Sequence, residues 1–185
     1  MIIYHGSVKK FDHFTKAAAA VQQLPNDIDT IGHWFTSAIQ AAKPFAIGTE
    51  TVIEKSKTEF WDDGEPKVVQ FDKPVRGFIY RVFIDEPKLK EYESYESFML
   101  DRDPFCDYFG KKKKYLTWKD QATLLNKEDA NAKFLKNLLK QGYEGFSVVN
   151  SPLLNQAINL YCIFSEDALV IADIIPVDEV EEDEQ

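Results

Sequence analysis

His5, His13 and His33 are the only histidines in a chain of 185 residues. Each offers ring nitrogens that donate, accept or titrate near neutral pH. Nothing around them spells a metal site: there is no HExxH, no paired cysteine spacing and no cluster of histidines with acids. A Ser-His-Asp arrangement stays open on composition, but no GxSxG elbow occurs. Gly142-Tyr143-Glu144-Gly145 has the wrong spacing for a phosphate loop and follows a helical stretch. His5 has the most suggestive surroundings. It ends an apolar run and is followed by Gly6 and Ser7, small residues past which a ligand can approach the backbone. Some thirty residues on come Gly32-His33-Trp34-Phe35-Thr36, then Phe45. Large aromatics beside a glycine suit a flat ring held by stacking, although they are also ordinary core material. Near the C-terminus a Gly-Tyr-Glu-Gly-Phe run leads, after a loop, to Asn159-Leu160-Tyr161-Cys162-Ile163-Phe164.

The elements that must position these residues follow from periodicity and punctuation. Met1 to His5 reads as a strand ended by Gly6-Ser7. Phe11 and Phe14 bracket a turn before Thr15, which is placed to cap an alanine-rich helix from Ala17 to Gln23. Leu24 to Ile31, with Pro25, Asn26 and Asp27, reads as a loop. His33 to Thr36 is a short strand, and Ser37 caps a helix running to about Ile47, which Pro44 should kink or end early. Lys67 to Phe71 and Gly77 to Asp85 are strands, the second alternating Phe78, Tyr80, Val82 and Ile84 against Ile79, Arg81 and Phe83. Glu91 to Trp118 has weak periodicity. Ala130, Phe134, Leu135, Leu138 and Leu139 form a helical stripe that Gly142 is placed to terminate. Three further strands cover Phe146 to Val149, Leu160 to Phe164 and Leu169 to Ile175. Helices early, strands in both halves and no regular βα alternation predict an α+β fold.

Composition bounds the rest. The chain is 44% hydrophobic and 29% charged, which suits one globular domain, here residues 1–176. Its net charge of −9 argues against a surface that embraces nucleic acid or an anionic membrane. Six acids lie in the last eight residues, Asp178 to Gln185; without them the body carries −3. Residues 177–185 therefore read as a disordered acidic tail. The body holds one basic cluster, Lys111-Lys112-Lys113-Lys114, beside Phe109, Tyr115 and Trp118. It reads as a solvated loop or as a surface where aromatics stack bases and lysines meet phosphates. Cys106 and Cys162 are too few for a disulfide framework. No signal-like leader and no apolar run of about 20 residues occurs, so the expectation is a soluble, cytoplasmic protein without membrane contact.

Tyr4-His5-Gly6-Ser7, then Gly32-x-Trp34-Phe35-Thr36 with Phe45, then Leu160-Tyr161-Cys162-Ile163-Phe164 resemble, in order, the three signature blocks of the ADP-ribosyltransferase superfamily. The branch is the diphtheria-toxin and poly(ADP-ribose)-polymerase type with its histidine–tyrosine–glutamate triad, and the small phage-encoded and polyvalent-protein versions are especially similar. Residues 91–125 have no counterpart and read as an insert. The resemblance implies two small antiparallel sheets with NAD held as substrate in the cleft between them, and no metal. It implies that His5 hydrogen-bonds the adenosine ribose, that the Gly6 backbone, beside Ser7, grips the nicotinamide carboxamide, and that Trp34 and Phe45, with Phe35 and Thr36 in the same block, enclose the nicotinamide. It further implies a mono-ADP-ribosyltransferase acting on a protein or nucleic-acid acceptor; the Lys111 to Lys114 run, inside the stretch without a counterpart, is either a solvated loop or an insert that recognises that acceptor.

One position departs from the family. Where the family has a glutamate, this chain has Leu160, which cannot stabilise the oxocarbenium-like charge as nicotinamide leaves. Three outcomes stay open: a polar neighbour substitutes, from Glu144, Gln156 and Asn159; the acceptor supplies its own carboxylate; or the chain is a catalytically inactive interaction module. A one-residue slip of the strand would present Asn159 or Tyr161 instead.

Overall fold

Alternating apolar runs build most of this molecule, and several of them find their partners far away in the chain. The computed structural model describes residues 1–15, 28–106, 127–151 and 158–180. The expected helix over Ala17 to Gln23, the run Lys111 to Lys114, Gln156 and the last five residues of the tail lie outside the described residues. In chain order the elements are β1 (Ile2–Ser7), β2 (His33–Thr36), α1 (Ile39–Ala42), β3 (Ile47–Phe60), β4 (Pro66–Arg76) and β5 (Phe78–Phe83). They continue as β6 (Leu89–Tyr92), α2 (Tyr95–Cys106), α3 (Lys127–Lys140), β7 (Gly145–Ser151), β8 (Ile158–Ile163) and β9 (Val170–Pro176). The architecture is α+β, mostly sheet with a few helices.

Two sheets are present, and they are unequal. One has seven strands in the order β6-β7-β8-β2-β1-β5-β9; β3 and β4 pair only with each other. Within the large sheet the β6–β7 pair is parallel and the other pairs are antiparallel. Side chains alternate between the faces of a strand, and residues opposite one another in an antiparallel ladder share a face. The registers Tyr4↔Thr36, Thr36↔Leu160 and Trp34↔Cys162 therefore put Tyr4, Gly6, Trp34, Thr36, Leu160 and Cys162 on one face. Ile3, His5, Phe35, Tyr80 and Ile163 point to the other.

The first face carries the larger core. Trp34, Phe146, Leu160 and Cys162 pack with Phe98 of α2 and with Phe134 and Leu138 of α3. Ala130, Phe134 and Leu138 are buried as the stripe requires, while Leu139 faces solvent. Gly142, at φ +80°, ends α3: its N–H reaches the Leu139 carbonyl and that of Tyr143 reaches Leu138, each about one turn back. β6 and α2 are tied together where Lys90 Nζ and the Tyr92 hydroxyl donate to one Asp101 carboxylate oxygen at 2.7 and 2.6 Å. The opposite face carries a smaller core of Ile3, Phe14, Phe35, Tyr80, Val82, Ile84 and Ile163.

Three expectations need correcting. The helix after Ser37 does not reach Ile47: it is four residues long and passes into a 3₁₀ turn over Lys43–Ala46. Pro44 supplies no backbone donor for a continuing α-helix, so the shorter element is its natural outcome. The strand expected over Lys67 to Phe71 extends to Pro66–Arg76, and its partner β3 had no sequence forecast. Finally, Val177–Glu179, assigned to the disordered tail, form a 3₁₀ turn with Val177 buried and Asp178 paired to Arg76.

Candidate functional site

β1, β2 and β8 are neighbours in the large sheet, so the three sequence blocks meet side by side. Their meeting point, with Phe45 from the 3₁₀ turn above, is a small pocket. Its walls are Tyr4, His5, Gly6, Trp34, Phe35, Thr36, Phe45 and Leu160, around an empty volume of about 280 Å³ that includes the solvent at its mouth. Six residues singled out from sequence thus share one wall: His5, Gly6, Trp34, Phe35, Thr36 and Phe45. Since His5 and Phe35 send their side chains to the opposite face, what they offer this wall is main chain.

Each lining residue is held by its surroundings. A Cβ on Gly6 would lie 2.1 Å from the Ala42 carbonyl oxygen, so glycine lets α1 and the following turn rest directly on β1. That contact brings Phe45 over the sheet. The Trp34 indole donates from Nε1 to the Ile28 carbonyl at 3.1 Å and meets Phe98 and Phe146 edge-on, at 76° and 81°. The Thr36 hydroxyl donates to the Ala38 carbonyl at 2.8 Å, fixing the bend between β2 and α1. Leu160 is buried opposite both Thr36 and Val148.

The His5 ring lies on the far side of the sheet. Its Nδ1 is 2.8 Å from the Trp34 carbonyl oxygen; since a carbonyl only accepts, Nδ1 carries the hydrogen. Phe11, Phe14, Phe35 and Tyr80 pack around it with ring centroids 5.1–6.1 Å away. Burial in this apolar cage drives its pKa down to about 4, the Trp34 hydrogen bond opposing and His33 adding a smaller push downward. His5 is therefore neutral at physiological pH. Ser7 is buried on the same face as His5, its hydroxyl accepting from the Lys9 N–H at 3.2 Å.

Of the polar residues considered as replacements for the family glutamate, Glu144 and Asn159 do not line the pocket wall. Glu144 is exposed in the turn before β7, where Oε2 accepts from the Lys88 N–H at 2.7 Å and the Glu144 N–H donates to the Lys88 carbonyl. Its own carbonyl accepts from Phe164, so it brackets two strand ends. Asn159 exchanges bonds with Ser37, N–H to hydroxyl at 3.2 Å and carbonyl to N–H at 2.9 Å. Strand alternation places its side chain opposite that of Leu160. Tyr4 is the lining residue that sequence reasoning had quoted without assigning a role; its signal was the period of two that puts it on the Gly6 face.

A wider depression of about 980 Å³, open solvent included, lies at Asp12, His13, Phe14, Thr15, Glu166, Asp167, Leu169, Val170 and Ile171. Three acids line it, a poor setting for a phosphate-bearing ligand. Among the described residues no three His, Cys, Asp or Glu side chains gather to hold a metal ion, and no helix is long and apolar enough to cross a membrane. No family model matches this chain, and neither do curated proteins or solved structures.

Proposed function

We propose that the chain is an NAD-dependent mono-ADP-ribosyltransferase whose pocket takes the nicotinamide end of NAD. One observation carries this reading: Gly6, Trp34, Thr36, Phe45 and position 160, drawn from three separate sequence blocks, converge on one small pocket of mostly apolar wall. Its empty space of about 280 Å³ includes the open mouth, and the enclosed part holds little more than a water, so a nicotinamide ring enters only if the half-buried Phe45 and its turn move aside, with the rest of the dinucleotide outside. In the reaction the bond from ribose C1′ to the nicotinamide nitrogen breaks, its electron pair leaves with nicotinamide, and positive charge grows on the ribose. The acceptor nucleophile then bonds to C1′; a carboxylate does so with no proton to lose, whereas a hydroxyl or amine acceptor gives one up to solvent. Trp34 and Phe45 would orient the leaving ring, while Leu160 offers the growing charge nothing. A carboxylate on the acceptor supplies that stabilisation, so acidic acceptor side chains are the favoured targets.

Leu160 also favours a second reading: an interaction module that keeps the pocket and transfers nothing. Labelled NAD incubated with the protein and a cell lysate separates the two. Transfer of label to protein or nucleic acid, together with an NAD-induced rise in melting temperature, supports the enzyme. A rise without transfer supports the module, and neither effect sinks both readings. Leu160→Glu is the sharpest variant, because it restores the missing carboxylate; nicotinamide release should increase at least about tenfold, corresponding to about 1.4 kcal/mol of barrier. Phe45→Ala should weaken NAD binding by about tenfold through lost stacking.

A further inference from the structure

We infer that the C-terminal 3₁₀ turn Val177–Glu179 is a latch that holds the Phe45 turn down over the pocket and so regulates entry, a role that rests on the proposed function, in which nicotinamide enters only when the Phe45 turn moves aside. The turn over Lys43–Ala46 is well supported from below. Ala42 and Ala46 are buried against β1, where Gly6 leaves no room for a methyl group. Its own chain holds it less firmly. Directly after Ala46 the chain leaves the body as the β3–β4 arm, in which no residue from Ile47 to Arg76 is buried. A two-stranded ribbon is marginally stable alone and makes a poor anchor for what precedes it. The tail supplies the anchor instead. The Gly77 N–H donates to the Ala46 carbonyl at 2.7 Å, and the Val177 N–H donates to the Gly77 carbonyl at 3.0 Å. Two hydrogen bonds in series thus tie the tail to the last residue of the Phe45 turn.

Side chains reinforce this tie. Val177 is buried in one small core with Ala42, Ala46 and Ile79, so the tail packs into the same apolar cluster as the turn. Arg76, one residue before Gly77, is paired with Asp178, one residue after Val177. That pair is exposed on both sides, so it holds modestly and is the part of the latch that salt screens. The buried valine carries the larger share. A latch differs from ordinary packing in the sign of its effects. Only molecules with the turn raised admit the ring, and the apparent affinity is reduced by the fraction that are raised. Loosening the latch therefore lowers stability while NAD binds faster and more tightly. Plain loss of packing would lower both.

Hydrogen exchange of the Gly77 amide by NMR, with stopped-flow and calorimetric NAD binding on the same proteins, tests this. In Val177→Ala the Gly77 N–H should exchange about tenfold faster, the melting temperature should fall, and NAD should bind about tenfold faster, because the lost methyls loosen the tail. Asp178→Lys changes an exposed side chain and leaves the core intact; it should show the same signs at about threefold. Adding Arg76→Glu to Asp178→Lys reverses both charges and should return exchange and binding to those of the intact chain. Gly77 exchange unchanged in both single variants, beside normal NAD binding, overturns the latch alone. So does faster exchange with weaker NAD binding, which makes the turn a fixed wall, or a charge swap that restores nothing. Faster exchange with no NAD binding by any of these proteins overturns the proposed function, and the latch with it as a guard of that site.

Discussion

On one side of β1, Gly6 lies beneath Ala42 to Ala46 with no room for a methyl group; on the other, His5 lies beneath the rings of Phe11 and Phe14. The first side uses absence of a side chain to bring backbone close to backbone, and a small pocket is left where the two layers part. The second side fills its space with aromatic rings and encloses a titratable group in them. Neighbouring residues of one strand thus meet opposite demands, close approach above and desolvation below, because the strand has a period of two. The pocket tolerates no added bulk at Gly6; the cage tolerates no removed bulk around His5.

The harshest way to break the first side is Gly6→Val. A Cβ 2.1 Å from a carbonyl oxygen forces α1 off the sheet, so the variant should lose more than about 4 kcal/mol and with it cooperative thermal unfolding. Phe14→Ala attacks the second side. It should cost about 3–5 kcal/mol by cavity formation, and the His5 pKa, followed by imidazole NMR shifts, should climb from about 4 back toward the ordinary 6.5 as water enters.

The cage also gives the fold a pH dependence. With His5 at about 4 when folded and 6.5 when unfolded, the unfolded chain binds the proton first. Its contribution is complete above pH 6.5, declines as pH falls toward 4 and is level below that, a total of about 3 kcal/mol at 1.36 kcal/mol per unit. Urea titrations at pH 7 and pH 4 should show this difference between the intact chain and His5→Gln, which lacks the titrating ring. The mildest change sharpens the first side: Thr36→Val removes one buried hydrogen bond to Ala38 and should cost about 1 kcal/mol in the same titration.

The sequence was most legible where burial imposed a pattern. β1, β2, β5 and the three C-terminal strands have at least one covered face, so their apolar residues recur at strand spacing. The buried stripe of α3 and the glycine after it were legible for the same reason. β3 was not, because a strand exposed on both faces has no side that must be apolar; Thr, Glu, Lys and Ile alternate there without a rule. α2 was hidden by weak amphipathicity, with Pro104 inside it. At the site, the pocket wall collects His5, Gly6, Trp34, Phe35, Thr36 and Phe45 from the sequence blocks, but not Ser7, Glu144 or Asn159. The blocks did not predict that the His5 side chain turns away from the pocket, since that depends on β2 pairing beside β1 with Tyr4 opposite Thr36.

Cys162 occupies the centre of the larger core, fully buried between Trp34 and Phe146 on the paired strands, and burial pushes its thiol well above the usual range. In the folded chain it is neither nucleophilic nor within reach of a reagent. With Cys106 replaced by serine, alkylation of the remaining thiol would proceed only through openings that separate β2 from β7 and β8. The rate of that labelling is a clock for opening in water without denaturant, and any ligand that grips the neighbouring pocket should slow it.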